Sequence, residues 1–267
     1  MSAIERLLKR ERAYVGVALA LLVFLAWTYI WRGAGMGMSA LQMTSLTLFP
    51  HARAEPMAGM PPPALTWISV IAMWWVMMIA MMTPSVAPLV LLYGRVLRHA
   101  AKMPLAQAFA PPMFLAAGYL SVWLAFSIVA AALQYALRRL DLISGMTLWS
   151  KSATLSACVL IAAGVYQLSP LKSVCVKHCR GPVEFLTRRW RAGRVGAFVM
   201  GAEHGVWCLG CCWVLMLLLF VVGVMNLVWI ALLGLFVLAE KAAPRGLIVS
   251  RAGGAVLIAW GLATLWI

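Results

Sequence analysis

The sequence predicts an all-α, polytopic membrane protein with about seven transmembrane helices. Of its 267 residues, 64% are hydrophobic and only 11% are charged, whereas soluble domains are about 25% charged. Hydrocarbon offers no hydrogen-bond partner to the backbone, so a spanning segment must be a helix or part of a closed barrel. Barrel strands alternate apolar and polar residues, but the apolar runs here are continuous and of helical length. We therefore predict a single integral membrane domain over residues 1–267.

Seven apolar runs approach the length of roughly 20 residues that a helix needs to cross the hydrocarbon core. They cover 14–31, 66–94, 107–137, 152–170, 196–222, 227–243 and 247–267. Pro84 and Pro88 predict a bend in the second run, which is longer than a crossing needs. The last two runs are separated only by a short segment around Pro244, and we expect Glu240 and Lys241, at the end of the sixth run, to pair with each other.

The basic residues predict the orientation of the chain. If the N-terminus is inside, the basic residues left outside are Arg32, Arg53, Arg138, Arg139 and Lys151, out of 22 in total. The positive-inside rule therefore favours an N-in, C-out topology in a bacterial inner (cytoplasmic) membrane. The same clustering accounts for the net charge of +15, so we expect the lipid bilayer, and no nucleic acid, as a partner.

Two segments between the predicted spans have distinctive compositions. Residues 171–195 form a predicted basic cytoplasmic loop, and residues 32–65 form a predicted outer loop rich in Met, Gly and Pro. Such a composition gives the outer loop little reason to form regular structure. It contains Met36, Met38, Met43, His51, Met57 and Met60.

The fifth span carries a stripe of potential metal ligands. Residues four apart share one face of a helix. The stripe consists of Met200, His204, Cys208, Cys212 and Met216, with Cys211 beside it. Free Cys and Met also serve as ordinary apolar packing residues, but a His and three Cys within two turns favour a metal-binding or redox role.

Glu203 is an acidic residue within the same span. Carboxylates at membrane depth are costly and usually face a polar interior. Glu203 could bind the metal, orient His204, or accept a proton released when metal binds. An ion pair with an Arg of the inner loop is an equally good interpretation.

A second cluster follows the fourth span and consists of Cys175, His178 and Cys179. In a helical turn their spacing places them on one face. They are either ordinary interfacial residues of a reducing compartment or a relay site at the mouth of the first cluster.

The second span contains a methionine stripe at Met73, Met77 and Met81, duplicated one residue along by Met78 and Met82. Methionine on helices usually fills gaps in the core. Thioether sulfur, however, is a soft ligand that selects Cu(I). The outer loop, this stripe and the Cys/His cluster would then form a path of increasing ligand strength.

Three blocks of sequence support a family resemblance. They are residues 73–85, residues 166–182, and residues 201–213 with their continuation through 220–226. On these blocks the chain resembles a bacterial family of predicted metal-binding integral membrane proteins of unknown function. The resemblance implies metal binding and leaves both the metal and its fate open.

Our leading hypothesis is therefore Cu(I) binding and transfer or transport, in exchange with a metallochaperone or another membrane or periplasmic protein. Zn(II) is the alternative metal, because Cys and His at short spacing also suit a tetrahedral site. A membrane thiol–disulfide oxidoreductase is the second class of function, since Cys208 and Cys211 have the two-residue spacing of redox pairs. An enzyme is otherwise disfavoured, because four His are few for a non-haem iron centre.

Overall fold

The computed structural model describes residues 3–36, 39–49, 66–101, 110–145 and 147–266. These parts of the chain are helical, apart from turns and one antiparallel bridge between Ile143 and Ser150, so the all-α prediction is confirmed. The helices are α1 (Ala3–Trp31), α2 (Ala40–Met43), α3 (Trp67–Ala101), α4 (Ala110–Arg139), α5 (Ala153–Leu168), α6 (Pro170–Arg180), α7 (Pro182–Arg189), α8 (Gly193–Leu217), α9 (Leu219–Val222), α10 (Leu227–Ala242) and α11 (Gly246–Thr264).

Five helical stretches in these parts are long and apolar enough to cross a membrane. They are Ala13–Trp31, Trp67–Leu97, Pro111–Arg139, Gly193–Val222 and Gly246–Thr264. Helices α5 and α6 together would form a sixth span, bent by 64° at its break. Helix α10 covers the remaining predicted span with 16 residues, fewer than the roughly 20 of a full crossing. Seven spans and the N-in orientation therefore stay predictions.

The segment predicted as a basic loop, 171–195, contains two helices. The Ser169 side chain caps the start of α6 by accepting from the Lys172 backbone N–H, and Pro170 occupies the first helical position. Proline lacks the N–H that would continue α5, and it disfavours helical backbone in the residue before it. Gly181 ends α6, and Pro182 occupies the first position of α7, which has no side-chain cap.

The described part of the outer segment, residues 32–36 and 39–49, includes the one-turn helix α2. Its N-terminus is a capping box between Ser39 and Gln42, in contrast to the irregular loop predicted. The chain beyond it contacts the start of α10, where the Asn226 side chain donates to the Ser45 carbonyl (2.6 Å). Met38, His51, Met57 and Met60 lie outside the described residues.

Helices α4 and α8 approach each other closely through glycine. A Cβ on Gly118 would fall 1.9 Å from the Phe198 carbonyl oxygen, and one on Gly201 would fall 1.9 Å from the Leu115 carbonyl oxygen. Only a residue without a side chain fits at either point. The contact brings Tyr119 of α4 against the ligand stripe of α8, as described below.

Candidate functional site

The predicted ligand stripe of α8 faces the interior of the protein. Its six residues, Met200, His204, Cys208, Cys211, Cys212 and Met216, are all buried. The thiols of Cys211 and Cys212 each donate to the Cys208 carbonyl oxygen at 3.0 Å. This local bonding packs three sulfur atoms into one turn of the helix.

Helix α6 adds a fourth cysteine to this group. The thiol of Cys179 lies within interaction range of those of Cys208 and Cys211, and the Cys212 thiol also interacts with both of these. We refer to Cys179, Cys208, Cys211 and Cys212 as the sulfur cluster. The two cysteine motifs of the sequence therefore converge, although α7 lies between their helices along the chain.

Cys175 lies next to the sulfur cluster. It is buried on the same helix as Cys179, and its sulfur would be 3.1 Å from a Cβ placed on Gly210. The missing side chain at Gly210 thus leaves room for α6 to rest against α8.

Polar side chains from three other helices surround Cys208. The Lys241 ammonium lies 2.8 Å from the Cys208 sulfur and 3.2 Å from the Ser85 hydroxyl. The Tyr119 hydroxyl lies 2.9 Å from the same sulfur. A cationic neighbour stabilises the thiolate, which is the form of cysteine that binds metals. These three partners were not among the residues predicted from the sequence.

A buried ion pair holds α6 in place beside the cluster. Lys172 and Glu240 are 2.8 Å apart, with their side chains 0% and 1% exposed. The Gln167 side-chain amide also donates to Glu240 (2.9 Å). Sequence adjacency had suggested that Glu240 pairs with Lys241, and this interpretation is wrong.

The end of α6 is fastened as well. The Arg180 guanidinium donates to the backbone carbonyl oxygens of Ala243 and Pro244. Both ends of α6 are thus tied to α10 or to the turn after it, which fixes the position of Cys179.

His204 lies one turn before Cys208 on α8 and is only 3% exposed. Its Nδ1 atom is buried and has no hydrogen-bond partner among the described residues. Its ring is flanked by Tyr119 (centroids 6.0 Å apart) and Phe185 (5.2 Å, perpendicular). Buried polar atoms are nearly always paired, so an open imidazole nitrogen suits a ligand.

Two predicted ligands lie outside the cluster. His178 is exposed and stacks on Trp207, with ring centroids 4.2 Å apart. Glu203 forms an ion pair with Arg189 at 3.0 Å, the structural alternative that the sequence had left open. Both side chains line the same surface cavity.

The methionines predicted as ligands in α3 and α8 are all buried. The described contacts of two of them are with residues outside the sulfur cluster. The Met200 sulfur accepts from the Arg191 backbone N–H (3.2 Å). In α3, Met81 lies against Gly234 of α10. Met73 and Met77 are part of the same apolar core as Met216.

No three His, Cys, Asp or Glu side chains in the described part of the chain have the arrangement of a ready metal site. The thiols instead interact with one another, those of Cys211 and Cys212 donate to the Cys208 carbonyl oxygen, and Cys208 contacts Lys241. A bound metal ion would replace these hydrogen bonds. The donor set itself consists of four buried thiols and a buried imidazole, and it is suited to a soft metal ion.

Comparison with known proteins identifies a family. Residues 71–264 match the sequence profile of PpoB2, described as a copper chaperone. This stretch is well over half of the chain and includes every residue of the sulfur cluster. No curated protein matches the chain, and no solved structure does.

Proposed function

Because the chain belongs to the PpoB2 copper chaperone family, we propose that it binds Cu(I) at the sulfur cluster and exchanges the ion with another protein. The observation that carries this proposal is the convergence of Cys179 of α6 with three cysteines of α8. Packing alone would not require thiols from two separate helices to meet beside an ammonium group.

The chemistry of the cluster favours Cu(I) over Zn(II). Thiolate and thioether are the soft ligands that select Cu(I), and the interior around the cluster holds several methionines. Zinc is usually bound by four ligands in a tetrahedral set of Cys and His, which remains the alternative. The family description points to copper.

We assign the ligands in order of their proximity to the cluster. The sulfur cluster supplies the principal ligands, and His204 with its open Nδ1 is the nearest nitrogen donor. Cys175, beside the cluster, and Met216, four residues after Cys212 on α8, are the proposed ligands that take part while the ion is exchanged. The more distant predicted ligands, which we propose as transient contacts of the ion, are Met73, Met77, Met81, Met200, His178 and Glu203.

The helices that are long and apolar enough to span a membrane support a membrane-embedded carrier. We propose one integral domain in a bacterial inner membrane, with the α6–α7 segment on the cytoplasmic side according to its charge. A metallochaperone or another membrane or periplasmic protein would be the partner in exchange. We propose binding and transfer of the ion, not an enzymatic reaction, as the activity.

Copper stoichiometry tests this proposal. Protein purified in detergent under anaerobic, reducing conditions is loaded with Cu(I), dialysed, and measured by elemental mass spectrometry. We expect near-stoichiometric copper in the wild type and in Cys158→Ser, a control thiol that is exposed on α5. We expect none in Cys208→Ser/Cys212→Ser. Retention of copper by the double variant would refute the site.

The same samples test the second candidate, a thiol–disulfide oxidoreductase. The contacts between the thiols of the sulfur cluster favour it, while their burial opposes the access that thiol exchange requires. Thiol titration with and without reductant separates the two functions. Recovery of disulfides with no retained copper would replace the copper proposal with the redox one.

A further inference from the structure

A cavity of about 290 Å³ lies at the surface between α6, α7 and α8. Its lining includes His178 of α6, Glu184 and Phe185 of α7, and Glu203 and Trp207 of α8. Trp207 immediately precedes Cys208, so the cavity lies at the level of the sulfur cluster but on a neighbouring face of α8. These lining residues do not belong to the cluster itself.

Phe185 lies between the cavity and the buried His204. The side chain lines the cavity and is itself only 8% exposed. Its ring meets the His204 ring at 5.2 Å in a perpendicular arrangement. His204 carries the unpartnered Nδ1 atom, and Cys208 follows it one helical turn later on α8. One aromatic side chain therefore lies between an exposed cavity and the first buried donor.

The cavity also contains groups that can receive a cation. Glu184 and Glu203 are ion-paired with Arg188 and Arg189, at 3.0 Å in each case, and all four side chains are partly or largely exposed. Exposed ion pairs contribute little to stability, so either carboxylate can leave its arginine at low cost. The exposed imidazole of His178 adds a nitrogen donor close to them.

We propose that this cavity is the port through which the copper ion passes between solvent and the sulfur cluster, and that Phe185 closes it. The ion first meets the carboxylates and His178, then passes Phe185 when its ring turns away, and reaches His204 before the thiols. This inference rests on the proposed copper binding. It adds a route, so it concerns the rate of copper exchange and not the final copper content.

The test is the rate of Cu(I) loading from a chromophoric chelator into the reduced protein in detergent, followed by stopped-flow absorbance. We expect Phe185→Ala to load on the order of tenfold faster, because an aromatic contact no longer has to open. Phe185→Trp should load more slowly. Glu203→Gln and His178→Ala should also slow loading, and the final copper content should be unchanged in the two Phe185 variants.

Phe220→Ala is the matched control. Phe220 is also a buried phenylalanine, but it packs on Trp74 (centroids 5.1 Å apart), away from the cavity. We expect its loading rate to equal that of the wild type. Phe185→Leu, which keeps apolar packing, provides a faster-loading variant if Phe185→Ala does not fold.

Equal rates for the wild type and the Phe185 variants would overturn the port, and so would equal acceleration by the Phe220 control. Either result leaves the proposed function standing if the final copper content stays stoichiometric. If the wild type itself retains no copper, the proposed function is refuted instead.

Discussion

Two lysines, the buried Lys172 of α6 and the partly buried Lys241 of α10, have different partners. Lys172 pairs with the carboxylate of Glu240 at 2.8 Å, and the same carboxylate accepts from Gln167. Lys241, the residue next to Glu240, instead contacts the sulfur of Cys208 at 2.8 Å and the hydroxyl of Ser85. The partner of the Lys172 ammonium is therefore a carboxylate, whereas the partner of the Lys241 ammonium is a cysteine sulfur.

The carboxylates elsewhere do not balance Lys241. The four whose side chains the structure describes, Asp141, Glu184, Glu203 and Glu240, each pair with another cation. Among the described residues, the acidic group in direct contact with the Lys241 ammonium is the thiol of Cys208, and a cationic neighbour favours the thiolate form of a cysteine. The two lysines therefore have different roles: Lys172 and Glu240 hold helices together, while Lys241 favours the thiolate form of Cys208, the form that we propose binds copper.

Glu240→Gln has the largest expected effect of the changes that break this comparison. It leaves Lys172 buried without a counter-charge, and removal of one partner of a buried pair costs about 3–5 kcal/mol. Unfolding in mixed micelles titrated with SDS measures the free energy. Glu184→Gln is the control, because the Glu184–Arg188 pair is exposed and contributes about 0–1 kcal/mol. Equal losses in the two variants would show that the Lys172–Glu240 pair has no special structural role.

Lys241→Met tests the other half of the comparison. The variant leaves no unpaired charge in the interior, because the Cys208 thiolate that faced Lys241 can take up a proton. We expect alkylation of Cys208 by iodoacetamide to slow by about tenfold, since the thiolate is the nucleophile. Peptide mass spectrometry measures the rate at this cysteine. Lys241→Arg keeps the charge and should react faster than Lys241→Met; if the two variants react equally slowly, charge compensation is not the role of Lys241.

Met77→Leu should have the smallest effect. Met77 is fully buried in the apolar core, and a swap that conserves volume costs less than about 1.5 kcal/mol. We expect the copper content to equal that of the wild type. A loss of bound copper in this variant would mean that a sulfur atom of α3 is a principal ligand, and that the sulfur cluster alone does not define the site.

The sequence was sufficient to predict the long apolar helices and the stripe of α8, but not the helices α2, α6 and α7, which fall in segments predicted as loops. Continuous apolar runs determine the first, and spacing by four residues determines the second. The contact between Cys208 and Lys241 could not be predicted from the sequence, because it depends on how α8 and α10 pack. The error at Glu240 and Lys241 has a geometric cause: consecutive residues of a helix point about 100° apart, so the two side chains reach different neighbours.

The break between α5 and α6 was partly visible in the sequence. Ser169 and Pro170 are a helix-start signal, but the basic charge that follows suggested a loop. The same helix explains His178. Cys175 and Cys179 are four residues apart and face α8, whereas His178 is rotated about 100° from Cys179 and falls on the exposed side.

X-ray absorption at the copper edge of the loaded, reduced protein tests the central claim most directly, because it reports the atoms bound to the metal. We expect Cu(I) with a first shell of sulfur, and fewer sulfur neighbours in Cys179→Ser, with Cys158→Ser unchanged. That result would establish that α6 and α8 supply ligands to one ion. A first shell of nitrogen and oxygen, or a sulfur shell that Cys179→Ser does not alter, would contradict a copper site shared by the two helices.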